Sequence, residues 1–152
     1  MSMHFPLVDE DLVRSCAAEV AASPQDGEAR LRYGYALAHS RNTADVDLAT
    51  PVLEQCAREQ ESKSGRATRE VCYLLGVAAF RGEHYSRALE HAEAALRVAP
   101  TCSQSAALKR AAEDAIKGLA EDGLLAISVG AGVLAVCIAL AAGAMSSHKG
   151  RR

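Results

Sequence analysis

The sequence predicts an all-α protein, a bundle of about six helices arranged in helix–turn–helix pairs and followed by a C-terminal transmembrane helix. Three observations carry this. Hydrophobic residues make up 49% of the 152 positions, yet aromatics make up only 4% and Trp is absent. Alanine therefore supplies much of the apolar surface, which suits closely packed helices better than sheets. Residues 69–102 read as two helices around a turn, and residues 124–145 then run without a single charge.

The central stretch is REVCYLLGVAAFRGEHYSRALEHAEAALRVAPTC. A tetratricopeptide repeat has the pattern W-x2-L-G-x2-Y, then A-x3-F, then P. Cys72, Leu75, Gly76, Ala79, Ala88, Ala92 and Pro100 stand in those slots, with the large aromatics replaced but the small residues and the proline kept in place. The spacing predicts a TPR-like pair. Gly76 and Ala88 have little or no side chain, so two antiparallel helices can approach closely where they cross. Pro100 lacks an amide proton and clashes with a preceding turn, so the second helix ends near Val98 or Ala99. Arg81-Gly82-Glu83 supplies the turn between the helices. A chance αα-hairpin would share one of these features, not the set.

The remaining elements follow in order. Residues 1–8 form an arm, apolar at Met3, Phe5, Leu7 and Val8 around Pro6. A first helix is expected over 9–22, with Asp9, Glu10 and Asp11 at the positive end of its dipole and Leu12, Val13, Cys16 and Val20 at helical spacing. Ser23 to Gly27 breaks it. A second helix is expected over 28–40 with Leu31, Gly34, Leu37 and Ala38 inward, and a third from about Val46 to Glu59. Pro51 either kinks that helix or starts it, since proline is tolerated at the first helical position. Placing Gly34 in the slot of Gly76, and Ala49 in that of Ala88, makes this pair a degenerate first repeat. A loop over 60–65 leads to the central pair. A sixth helix, capped by Thr101 or Ser103, closes the stack with Ala106, Leu108, Ala112, Ala115, Ile116 and Leu119. The helical domain thus occupies 9–122.

The uncharged run LLAISVGAGVLAVCIALAAGAM would be roughly 33 Å long as a helix, against a hydrocarbon core of about 30 Å. A domain this small has no interior that could surround it, so it is read as a lipid-bilayer span. Ala131, Ala135, Ala139 and Gly143 make a smooth strip that would let two spans pack into a homo-oligomer. An alanine-rich segment chosen for mild hydrophobicity gives the same strip. Residues 146–152 form a short basic tail with Lys149, Arg151 and Arg152, a formal +3, while residues 1–122 carry 19 acids against 14 basic residues. So short a tail predicts insertion after synthesis, a tail anchor with the helical domain in the cytosol. The positive-inside rule would keep the tail cytosolic, but moving seven residues across is easier than moving a folded domain. A mild anchor with a basic tip looks like a targeting signal for the mitochondrial outer membrane or the peroxisome.

Chemistry is not legible in this chain. No P-loop, GxSxG, HExxH or dinucleotide fingerprint occurs, so neither catalysis nor a cofactor is expected. No basic patch marks nucleic-acid binding. His84 and His91 lack a second pair to complete a metal site and are read as surface residues. Cys16, Cys56, Cys72, Cys102 and Cys137 form no CxxC pair and are read as small packing residues in a reducing compartment. The start, MSMHFPLVDEDL, has no positive n-region or apolar core of signal-peptide length, so no secretion is expected.

The order of parts resembles the mitochondrial fission protein 1 family over nearly the whole chain. Leu31-Arg32-Tyr33-Gly34-Tyr35-Ala36-Leu37, Tyr85-Ser86-Arg87-Ala88-Leu89 and the join Glu121-Asp122-Gly123-Leu124 carry the likeness most sharply. The resemblance implies an outer-membrane and peroxisomal adaptor that helps recruit a dynamin-related GTPase, directly or through fission adaptors. Alanines in the aromatic slots and a different arm sequence depart from it. Counting from Gly34 and Gly76, the side chains turned away from the hairpin partner are Leu31, Tyr35, Tyr73, Val77 and Phe80, which predicts an apolar partner-binding groove. The arm around Phe5 could fill it first, and the same side chains could instead pack within the domain. A tail-anchored receptor for a chaperone or import partner would need cations on these helices. An anchored enzyme subunit would need a catalytic constellation.

Overall fold

A computed structural model describes residues 3–65 and 67–123. It forms two units, Met1–Ala115 and Ile116–Arg152. The expected span over 124–145 and the targeting residues Lys149, Arg151 and Arg152 lie outside the described residues. Among those described, no helix is long and apolar enough to cross a membrane.

Six helices are present among the described residues: α1 (Glu10–Ala22), α2 (Gly27–Ala38), α3 (Thr43–Ser64), α4 (Arg69–Arg81), α5 (Tyr85–Val98) and α6 (103–123). Side chains at their starts satisfy orphan amides. The Asp26 carboxylate accepts from the Glu28 and Ala29 amides at 2.9 and 3.2 Å, Asn42 accepts from Ala44 at 3.0 Å, and Thr68 accepts from Val71 at 3.4 Å. α6 is opened by neither Thr101 nor Ser103 but by Cys102, whose carbonyl accepts from the Ala106 amide at 3.0 Å.

α3 departs most from expectation. It begins earlier than Val46, runs through Pro51, and includes most of the expected 60–65 loop. Proline inside a helix costs about 3 kcal/mol. Burial of Val46, Ala49, Leu53 and Cys56, spaced three and four apart on one face, offsets that cost. Pro51 itself is exposed. At the far end the Gln60 side chain accepts from the Thr68 amide at 2.8 Å, tying the last turns of α3 to the start of α4, and Gly65 ends the helix at φ 78°.

α4 is the central helix. Eight of its thirteen residues are buried, from Val71 to Ala79 with Tyr73 alone excepted, so it meets neighbours on most sides. α5 presents Ala88, Ala92 and Ala95, all fully buried, as a single stripe. Its end at Val98, just before Pro100, is where the proline was expected to stop it. In the turn before it the left-handed residue is Glu83 at φ 62°, while Gly82 has an ordinary φ of −82°. Within the first unit, Leu108 and Ala112 of α6 are fully buried; further along α6, Leu119 is exposed and does not serve as a core position. Leu12, one of the apolar positions at helical spacing on α1, is 44% exposed.

Candidate partner-binding groove

The side chains expected to line one groove have four different surroundings. Leu31 and Tyr35 of α2 border an open cleft of about 460 Å³ with Leu12 and Cys16 of α1, and Glu28, Arg32 and Glu70 stand at its rim. Tyr73 borders a second cleft of about 450 Å³, walled by Met3 and Pro6 of the arm and by Ala107 and Arg110 of α6. Phe80 is covered: the Phe5 ring sits 5.7 Å from it, and Tyr85 meets it edge-on at 5.2 Å. Val77 is fully buried in the main core with Leu74, Ala78 and Phe5, so it is a packing residue and offers no surface to a partner.

The arm is held by backbone as well as by Phe5, which is itself buried. The Val8 amide donates to the His39 carbonyl at 2.9 Å. On either side, the Arg81 guanidinium donates to the Ala38 and Ser40 carbonyls, both at 2.6 Å. Three successive carbonyls at the end of α2, which have no partner within their own helix, are thus satisfied by α4 and the arm. The Ser40 hydroxyl donates to Asp45 at 2.6 Å, and His39 lies buried with Nδ1 3.0 Å from the Tyr35 carbonyl and its ring 4.3 Å from the Tyr35 ring. Burial pushes the His39 imidazole below its usual pKa, and nearby Arg81 adds to that. This junction was not foreseen. A basic residue in the last turn of α4 was its only signal in the sequence.

The repeat-packing residues do meet neighbours. A Cβ on Gly34 would lie 2.5 Å from Leu53 Cδ2, and one on Gly76 would lie 2.7 Å from Leu108 Cδ2 and 3.4 Å from the Ala88 carbonyl oxygen. Leu75 and Ala88 are buried, while Pro100 is exposed beyond the end of α5.

Cations on α2 and α4 are already engaged. Arg30 is buried and pairs with Glu59 at 2.5 Å while also donating to the Pro24 carbonyl. Arg32 meets Glu19 at 2.5 Å and Glu28 at 3.9 Å, Arg81 holds the carbonyls just described, and Arg69 reaches the Cys102 sulfur at 3.8 Å. No group of His, Cys, Asp and Glu among the described residues could hold a metal ion. His91 is not a surface residue: it is half-buried on α5, its Cβ 3.4 Å from where a Cβ on Gly76 would lie, and burial lowers its pKa. Burial raises the thiol pKa of Cys16, Cys56 and Cys72, as suits packing residues. Cys102 goes the other way, lowered chiefly by its hydrogen bond with Ser105 at 3.3 Å, with Arg69 contributing.

Residues 69–124 match the family model described as Fis1 C-terminal tetratricopeptide repeat. The chain is 32% identical over 146 residues to mitochondrial fission 1 protein B of Arabidopsis thaliana, covering 94% of this chain and 84% of that one. It is 29% identical over 150 residues to mitochondrial fission 1 protein of Yarrowia lipolytica, covering 98% and 93%. Its fold is similar to the crystal structure of fission protein Fis1 from Saccharomyces cerevisiae, with a TM-score of 0.66 at 23% identity over 79% of this chain and 91% of that one. The crystal structure of yeast Fis1 in complex with an Mdv1 fragment gives the same TM-score of 0.66, at 22% identity over 76% and 91%. With its TPR-like pairs and this degree of identity along its length, the chain belongs to the mitochondrial fission 1 protein family, a family of adaptors rather than enzymes.

Proposed function

We propose that this protein is a tail-anchored adaptor of the mitochondrial outer membrane, with a share on peroxisomes, that promotes fission by recruiting a dynamin-related GTPase or that enzyme's adaptors. Recruitment runs through the face made by the first helix of each pair. The observation that carries this reading is the open apolar cleft bordered by Leu12, Leu31 and Tyr35 beside a groove whose far end is filled by Phe5. Such a face suits an extended or helical segment of another protein. The structure of yeast Fis1 with an Mdv1 fragment supports an adaptor as the direct partner.

A chaperone or import receptor would bind a terminal carboxylate through free cations on α2 and α4. Arg30, Arg32 and Arg81 are committed to carboxylates and carbonyls of their own fold, so that alternative has little to stand on. In cells lacking their own family member, the full chain should restore GTPase foci on mitochondria, and Leu31→Glu should lose the foci while staying on the organelle. Retained foci in Leu31→Glu would remove this face from the mechanism. Ending the chain at Gly123 should release it to the cytosol. Neutralising Lys149, Arg151 and Arg152 should move it to the endoplasmic reticulum. Unchanged fractionation of either variant would refute the tail as the address.

A further inference from the structure

We infer that the cleft between α1, α2 and α4 selects a partner segment in which a large apolar side chain is flanked by lysine or arginine, and rejects the acidic equivalent. This rests on the reading of that face as a docking surface and adds the charge of what it accepts.

The floor of the cleft is apolar and wet. Leu12 is 44% and Tyr35 37% exposed, with Leu31 half-buried between them and Cys16 beneath. Covering such side chains with an apolar partner is favourable in proportion to the area removed from water. The seated arm leaves this floor uncovered. Its anchor rests on Phe80 near the end of α4, whereas the cleft touches α4 at Glu70 in the first turn. Ten residues of helix separate the two, about 15 Å.

The rim decides the sign. Its single cation, Arg32, is already shared between Glu19 of α1 at 2.5 Å and Glu28 of α2 at 3.9 Å. Glu70 is exposed and has no ion-pair partner among the described residues. An incoming basic side chain finds Glu70 and the weakly paired Glu28, both exposed at the rim, where its attraction is modest and screened by salt. An incoming carboxylate meets two like charges and a cation that is already taken. Like-charge juxtaposition of this kind suppresses wrong partners more than it weakens right ones.

The test uses the full chain in lipid nanodiscs and two fluorescent amphipathic peptides, identical in their leucines and differing only in flanking lysine or glutamate. By anisotropy the lysine peptide should bind about tenfold more tightly, with the difference shrinking at high salt. Glu70→Lys should reverse the preference and Glu70→Gln should reduce it to the part that Glu28 supplies, while Leu12→Ser should weaken both peptides alike. Glu90→Lys on α5 makes the same change in net charge at an exposed site outside the cleft and should leave the preference intact. Equal binding of the two peptides overturns the inference but leaves the docking surface standing. So does a preference untouched by Glu70→Gln, or one that Glu90→Lys shifts as much as Glu70→Lys. Failure of both peptides to bind overturns the inference and the docking surface together. Circular dichroism confirms that the exposed-site variants keep their helix content.

Discussion

The two helix pairs meet the same packing problem with different means. In α2–α3 the notch left by Gly34 is filled from within the hairpin, by Leu53 of the partner helix, with hypothetical Cβ contacts of 2.5 and 2.9 Å. A buried ionic clasp, Arg30 to Glu59, closes the same hairpin at its open end. In α4–α5 the hairpin partner approaches Gly76 only with the Ala88 carbonyl oxygen and the His91 Cβ, each 3.4 Å from a hypothetical Cβ, and the notch is filled more closely from outside, by Leu108 of α6 at 2.7 Å. The first pair is self-contained, whereas the second is completed by the helix that follows it. A glycine in a repeat slot therefore announces that something approaches; the neighbouring residue sizes determine which helix it is.

The largest effects should come from the residues that fill the notches. Leu53→Ala and Leu108→Ala each remove a fully buried leucine and should cost about 3 kcal/mol. Gly34→Ala should be destabilising alone, because Leu53 has no free volume to retreat into. In the Leu53→Ala background it should become stabilising, as the new methyl enters the void and helix propensity gains about 1 kcal/mol. Gly76→Ala should show the same reversal with Leu108→Ala although the two lie on helices separated by α5. Denaturant titration of the four single and two double variants decides this, and additive effects at Gly76 and Leu108 would dissolve the distinction between the pairs.

Next in size is the junction between the pairs. Arg81→Ala leaves two carbonyls at the end of α2 without their charged donor and should cost about 2 kcal/mol. It should also let the pairs exchange amide hydrogens independently, and an unchanged exchange pattern would show that α2 and α4 are coupled by apolar packing alone.

A smaller effect is tied to pH and involves both halves. His39 at the junction and His91 on α5 are held below the usual imidazole range, mainly by burial, with Arg81 and Arg87 respectively adding to it. Below about pH 6.5 the unfolded chain takes up protons that the folded chain resists. Stability is therefore full above that pH and should fall as pH drops through the window down to the folded values. A midpoint of urea unfolding that stays level across this window would contradict the burial argument at both sites.

The smallest change concerns the turn of the second pair. Glu83 stands in the left-handed region at φ 62°, where a side chain costs about 1–2 kcal/mol. Glu83→Gly should gain somewhat less than that, about 0.5–1 kcal/mol, because glycine is more disordered when unfolded. A loss of stability would mean that the Glu83 side chain makes a contact worth more than the strain.

Much of the fold was legible because its signals are local. The glycine and alanine slots, the proline stop after α5 and the turn at Arg81 to Glu83 each act within a few residues, and each sits where the spacing put it. α3 was read too short, with its passage through Pro51 left open, for the opposite reason. Pro51 is a strong local signal for a helix start, but the burial of Val46, Ala49, Leu53 and Cys56 against other helices outweighs it, and Gln60 is recruited by the distant amide of Thr68. The candidate site was legible in part. Counting around each helix separated Leu31 and Tyr35 from the hairpin contacts, but it could not decide between groove and internal packing for Val77, nor which side chain the arm around Phe5 would cover. Both depend on segments far away in sequence. Cys102 looked like one more packing residue because its surroundings, Ser105 and Arg69, belong to two different helices.

The seat of the arm has a consequence for competition. Phe5 is joined to α1 by only a few residues, so its local concentration at Phe80 is of millimolar order. A rival for Phe80 must displace a tethered occupant, so its apparent dissociation constant rises as the inverse of the fraction of time the arm is unseated. A segment entering at Leu12 and Tyr35 escapes that tax. A long ligand would thus engage the free end first and evict the arm afterwards, its second contact drawing on the proximity that the first provides.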